Sequence, residues 1–215
     1  MKITVLYDNE ALPGLLPGWG FSCLLEGVET VLFDTGNDAP TLLHNMRKLG
    51  VDPQGVDGIV ISHAHMDHAG GLPGILRTNE TAQVFVPPSL QHSNLGIAPD
   101  RITVVGRPVE ISAEVISTGV MGSAIKEQSL VASGQQDQVL VTGCAHPGLE
   151  RILEAAASFS DVTGVVGGFH SFDRIERLSG MRLVIPCHCT ERKKQIESRY
   201  PDSIVKCAVG TSVDI

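Results

Sequence analysis

Ser62-His63-Ala64-His65-Met66-Asp67-His68-Ala69-Gly70-Gly71 is the stretch that decides how this chain is read. It follows Gly58-Ile59-Val60-Ile61, a run apolar throughout, as expected of a strand covered on both faces. Four side chains able to bind a metal then fall within six positions. In extended backbone His63 and His65, two apart, point the same way and can share one ion. Asp67 and His68 follow as the chain turns toward the apolar segment 72–76, where a second ion could sit. Imidazole suits zinc, iron and other borderline ions, and a carboxylate adds charge neutralisation. Gly70 and Gly71 let the backbone pass close behind such a site. A merely solvated histidine loop has no need of a buried strand to deliver it.

Two later turns repeat the arrangement. Val139-Leu140-Val141-Thr142-Gly143-Cys144-Ala145-His146 leaves a strand and is expected to enter a helix at Pro147, a favoured first helical position. Leu183-Val184-Ile185-Pro186-Cys187-His188-Cys189-Thr190 does the same, with Thr190 expected as N-cap of the last helix. Either turn alone describes an ordinary hydrogen-bonded histidine. Three strand ends that each deliver histidine just before a helix point to one common target. Such a target belongs at the carboxyl edges of the strands, where open α/β folds place their sites.

Outward from these turns, strands are expected at 3–7, 21–25 and 29–33, the last two joined as a hairpin through Glu26-Gly27-Val28. Segment 41–49 has helical spacing in Leu42, Leu43, Met46 and Leu49 and stops at Gly50. Residues 80–137 read as several short strands separated by Pro and Gly. From 138 onward strands at 138–142, 162–166 and 182–185 alternate with helices at 147–158 and 191–200, and 204–208 is a candidate edge strand. Strands first and helices afterwards in each half suit two mixed sheets packed face to face with helices outside, in one domain over 1–215. The loop 8–20 is rich in Pro and Gly yet carries Leu12, Leu15, Leu16 and Trp19; it either folds onto the core or covers a substrate. His44 and His92 read as surface residues.

The 215 residues are 42% hydrophobic and 19% charged, an ordinary globular composition that needs no disulfides to fold. Five cysteines and a start that runs from Met1-Lys2 straight into a strand, with no secretory leader, imply a reducing, cytoplasmic setting. No apolar run approaches the roughly 20 residues that span a bilayer, so no membrane association is expected. Twenty-four acidic residues against sixteen basic ones leave a net charge of −8, which argues against nucleic acid as a partner. The oligomeric state is not legible.

With a later His146 and a terminal His188, the pattern His63-x-His65-x-Asp67-His68 resembles that of the metallo-β-lactamase-fold hydrolases. Trp19-Gly20-Phe21-Ser22, Leu32-Phe33-Asp34-Thr35-Gly36, Thr142 to Gly148, Gly167-Gly168-Phe169-His170 and Pro186-x-His188-Cys189-Thr190 look like one branch of them. Its members are often described as dihydropterin-methyl-ribofuranosylaminobenzene-phosphate synthases, or simply as metal-dependent hydrolases. The resemblance spans nearly the whole chain. It implies an α/β fold, a four-layer αβ/βα sandwich of two mixed β-sheets. It also implies two divalent ions, zinc foremost with iron, manganese or nickel as alternatives: one held by His63, His65 and His146, the other by Asp67, His68 and His188. Asp34 looks like the family's carboxylate that orients the ligand loop, although a turn-capping Asp reads the same way from the residues alone.

One departure stands out. Many members carry a bridging Asp on the strand that here ends in Thr142-Gly143-Cys144, where no acid stands. Cys144 ligates as thiolate, or packs behind the site, or the bridge is water alone, or one ion is weakly held. His170 is a candidate for substrate contact or acid/base work beside Asp67, against the alternative of a buried hydrogen-bonded residue.

Two ions about 3.5–4 Å apart would clamp a water and lower its pKa toward roughly 7. Subtracting Asp67 and a bridging hydroxide still leaves the pocket cationic, so a small anionic substrate is expected. The leading expectation is a metal-dependent hydrolase of a small anionic ester such as a phosphoester. A pterin-linked condensing synthase is the alternative, with Trp19, Phe169 and Phe172 as stacking candidates. A non-catalytic metal- or ligand-binding module on the same scaffold is the third reading.

Overall fold

Aromatic residues make up only 4% of the chain, so its layers are held together by aliphatic side chains. A computed structural model describes residues 1–91 and 95–215; His92 lies outside the described residues. The first sheet contains β1 (Lys2–Tyr7), β2 (Ser22–Glu26), β3 (Thr30–Phe33), β4 (Gly58–Val60), β5 (Gln83–Val86) and β6 (Ile102–Val104). The second contains β7 (Val109–Ser112), β8 (Val115–Met121), β9 (Glu127–Ser133), β10 (Gln138–Thr142), β11 (Gly164–Gly168) and β12 (Leu183–Cys187). A last strand, β13 (Ser212–Asp214), returns to the first sheet, giving the orders β13-β1-β2-β3-β4-β5-β6 and β12-β11-β10-β9-β8-β7. Strands β3 to β6 run parallel, as do β10 to β12; the other pairs are antiparallel.

Alternation along the strands sorts side chains between layers. Val5, Val31, Phe33, Val139, Val141, Val166 and Ile185 meet between the sheets. Their neighbours Leu6, Leu32, Leu140, Val165 and Val184 face outward. On the first sheet those outward residues are covered by α1 (Ala39–Lys48) and, beyond the short α2 (Met66–Ala69), by α3 (Leu72–Thr78). On the second they are covered by α4 (Leu149–Ala156) and α5 (Lys193–Arg199). Burial of a side chain such as Leu42 or Met46 against the sheet stabilises the fold by roughly 1.5–3 kcal/mol. The result is the expected four-layer αβ/βα sandwich. Among the described residues no helix is long and apolar enough to cross a membrane.

Three local expectations fail. Helix α4 begins at Leu149, not Pro147, because Gly148 at φ 96° inserts a turn before it. Thr190 does not cap α5: its hydroxyl donates to the Cys187 carbonyl at 2.7 Å and accepts from Phe169 N–H at 3.0 Å, and the helix starts after Arg192. Segment 204–208 is no strand; Ile204 makes a single bridge with Val184, the chain turns at Gly210, and 212–214 takes the edge beside β1.

Candidate metal centre

Asp34, Ala145, His170 and His188, with φ between 45° and 57°, are the non-glycine residues in the left-handed region among those described. Each lies just past the end of a strand, β3, β10, β11 or β12. Side chains rarely tolerate this backbone, and it persists where the surroundings enforce it. At His188 the enforcement is visible: its N–H donates to Asp8 Oδ1 at 2.7 Å, and its carbonyl accepts from Asn9 Nδ2 at 3.0 Å. The loop 8–20, left open between packing and covering a substrate, therefore holds a candidate ligand in place.

His63, His65 and His146 bring their ligating atoms within 4.8 Å of one another. His63 Nε2 stands 3.1 Å from His65 Nδ1. Ser62 Oγ donates to Asp34 Oδ2 at 2.7 Å, so it accepts from His63 Nδ1–H at 2.9 Å, which leaves the Nε2 lone pair free. Burial, reinforced by His68, His146 and His65, holds His63 far below the ordinary imidazole range. Burial and the neighbouring His65 and His170 bring His146 down to about 4. Both rings are thus neutral, as ligands must be. His146 Nε2 is buried with no hydrogen-bond partner among the described residues. An orphaned acceptor beside two more imidazole nitrogens fits a metal ion well.

Asp67, His68 and His188 form a second such group. His68 Nδ1–H donates to Asp34 Oδ2 at 2.6 Å, both side chains fully buried, and His68 Nε2 faces Cys144 Sγ at 3.1 Å. His188 Nδ1–H donates to Asn9 Oδ1 at 3.0 Å, and its Nε2 lies 3.1 Å from Asp67 Oδ2. Trp19 Nε1–H donates to the same Asp67 oxygen at 3.0 Å. Burial alone would lift Asp67, but the hydrogen bond with His188 and the neighbouring His68 carry it well below the usual carboxylate range. Burial depresses His68, and the Asp34 charge more than reverses this. Asp34 is therefore the orienting carboxylate rather than a turn cap. The donors of both groups suit borderline divalent ions, and the outer nitrogens of His63, His68 and His188 are held by Ser62, Asp34 and Asn9.

Sequence reasoning missed Glu127. It is buried, and its oxygens accept N–H bonds from Cys144 and Ala145, both at 2.9 Å, and from His146 at 2.8 Å. Burial raises its pKa against these three donors. Its signal is faint: an acid opening an otherwise buried strand. Asp8 and Asn9 were equally silent, 180 and 179 residues from His188.

His170 is exposed, its ring 5.1 Å from that of His146, at a cleft of about 350 Å³ shared with Phe169 and Phe172. A second cleft, of about 400 Å³, adjoins His65 and is lined by Ile125 and Lys126. Phe169 and Phe172 are buried, their rings edge to face with centroids 6.4 Å apart. Trp19 is 63% exposed and offers a stacking face. His44 is half-buried on α1 beside Arg47, away from both groups.

A family model described as the Metallo-beta-lactamase superfamily matches residues 22–174. An uncharacterized protein of Methanocaldococcus jannaschii is 26% identical, over 99% of this chain and 100% of that one. The 7,8-dihydropterin-6-methyl-4-(beta-D-ribofuranosyl)-aminobenzene-5'-phosphate synthase of the same organism is 24% identical, over 88% of this chain and 91% of its own. A solved structure described as a metal-dependent hydrolase of the beta-lactamase superfamily matches at 29% identity with a TM-score of 0.79, over 100% of this chain and 99% of the other.

Proposed function

The chain belongs to the metallo-beta-lactamase superfamily, and on that premise we propose that it is a metal-dependent hydrolase of a small anionic ester such as a phosphoester. His63, His65 and His146 would hold one divalent ion, zinc foremost, and Asp67, His68 and His188 a second. The observation that carries this reading is the pairing of two donor groups with the orphaned, buried His146 Nε2 aligned beside them. When bound, such ions supply Lewis acidity, polarising the bond under attack and acidifying a water.

The chain's own residues do the rest. Asp67, kept ionised, accepts a hydrogen bond from the attacking water and orients it. His170, exposed at the cleft beyond His146, hands a proton to the leaving oxygen. Trp19 covers the Asp67 side and keeps bulk water from it. The buried carboxylates of Asp34 and Glu127 would offset part of the positive charge that two ions bring to the pocket. Anion selection therefore leans on Lys126 at the cleft beside His65.

A second reading, pterin-linked condensation, is favoured by similarity to the Methanocaldococcus jannaschii synthase and by the exposed face of Trp19. The test is a metal-loaded protein assayed on phosphomonoesters, phosphodiesters and pyrophosphates, and on a pterin pyrophosphate with the aminobenzene ribotide. Hydrolysis that chelation abolishes and metal restores is expected. Condensation without hydrolysis would favour the second reading, and tight metal binding with no turnover would make the chain a binding module.

A further inference from the structure

We propose that Cys144 and Cys189 are a redox pair: hydrogen peroxide joins them as a disulfide that ties the turn after β10 to the turn after β12 and loosens metal at the centre. The loosening, though not the pair, rests on the reading that the two histidine groups hold ions. The two Sγ atoms stand 3.3 Å apart. A disulfide needs about 2.05 Å, so a modest side-chain movement closes the bond. The contact is built into the sheet. β10 and β12 do not pair with each other; β11 lies between them and pairs with both. Strands two apart in a sheet are about 9–10 Å from each other, too far for two thiols to meet across an ordinary side chain. Here the middle position is Gly168, where a Cβ would stand 2.7 Å from Cys189 Sγ and 3.3 Å from Cys144 Cα. The missing side chain is the space in which the sulfurs meet.

Access separates this pair from the other thiols. Cys189 is half-buried and within reach of a dissolved oxidant, with the buried Cys144 behind it. Cys23, Cys187 and Cys207 lie in the core between the sheets, shielded from one. The chemistry balances with one peroxide. The Cys189 sulfur gives up its proton and attacks a peroxide oxygen; the O–O bond breaks, and the departing hydroxide takes that proton. A sulfenic acid remains on Cys189. The Cys144 sulfur then attacks the sulfenic sulfur; the S–O bond breaks, and the departing hydroxide takes the Cys144 proton. Two thiols and one peroxide thus become one disulfide and two waters, and a dithiol reverses the bond by exchange. The strain falls on the metal centre. His188 directly precedes Cys189, His146 follows Cys144 by two positions, and Ala145 and His188 already hold left-handed backbone. Closing the bond also draws Cys144 Sγ away from His68 Nε2, now 3.1 Å from it. Disturbing the groups that fix a metal ligand commonly costs about 10–100-fold in affinity.

The test treats zinc-loaded protein with a slight molar excess of hydrogen peroxide, follows released zinc with a chromophoric chelator, and maps a digest made without reductant by mass spectrometry. The wild type should yield a fragment joining Cys144 to Cys189, two hydrogens lighter than its parts, and lose zinc as the link forms; dithiothreitol should reopen the link. Cys187 and Cys189 share one tryptic fragment, so two variants assign the partner. Cys187→Ser should keep the link, and Cys189→Ser should lose it and hold its zinc through the same treatment. No linked fragment in the wild type, a link that survives Cys189→Ser, or a link formed with zinc fully retained would overturn the proposal. A link in protein that takes up no zinc beforehand would leave the thiol pair standing and remove the metal reading beneath it, a separate failure.

Discussion

The two donor groups are built to different standards. In the second, His68 is clamped by Asp34 inside the protein, His188 by Asn9 and Asp8, and Asp67 by Trp19. In the first, His65 is exposed, and His146 is held through its backbone by Glu127 while its Nε2 has no partner among the described residues. Outer partners fix the orientation of a ligand and commonly change metal affinity 10–100-fold when removed. The second group is therefore preorganised as part of the core. The first opens to solvent at His65, where the clefts flank it, while His63 is buried and held by Ser62. Protein stability should depend on the second group and hardly at all on the exposed His65 of the first.

Asp34→Ala should break that contrast most severely. It strips His68 Nδ1, Ser62 N–H and Ser62 Oγ of their acceptor in a fully buried place. Breaking such a buried pair costs about 3–5 kcal/mol, read as a fall in the denaturant midpoint. An unchanged midpoint would mean that the second group is not built into the core. Glu127→Gln comes next: one amide oxygen cannot serve three N–H donors, and a buried donor left unmade costs about 1–3 kcal/mol. Metal titration should show the loss concentrated on the His146 side.

Asn9→Ala should leave the fold nearly intact while weakening metal at the His188 group about 10–100-fold, measured by competition with a chromophoric chelator. His65→Ala is the opposite extreme. It should shift stability by no more than about 0.5 kcal/mol, as exposed substitutions do, yet abolish tight binding at the first group and activity. Equal destabilisation by His65→Ala and Asp34→Ala would erase the distinction between the groups.

What was legible in the sequence, and what was not, follows the range of the contacts. The alternation His63, Ala64, His65 after an apolar strand is a local signal that pointed to a shared ion, and the resemblance of that motif and the later ones to a known family implied the fold and the two donor groups. The short β-branched runs likewise marked β1, β2 and β3 to within a residue or so of their ends. Helix starts went wrong at Pro147 and Thr190 because distant partners, Glu127 for the first turn and Phe169 for the second, hold the backbone that a local rule assigns to the helix. Asn9 and Asp8 reach His188 only because β1 and β12 end at the same edge of two facing sheets. Nothing in their immediate neighbourhood announces it.

The most direct test loads chelator-stripped protein with zinc, removes the excess, and counts ions per chain by elemental analysis in the wild type and in His65→Ala. Two ions in the wild type and one in the variant, with both proteins folded, is the expected result. A wild-type chain that keeps no zinc, or a variant that keeps two ions, would contradict the account.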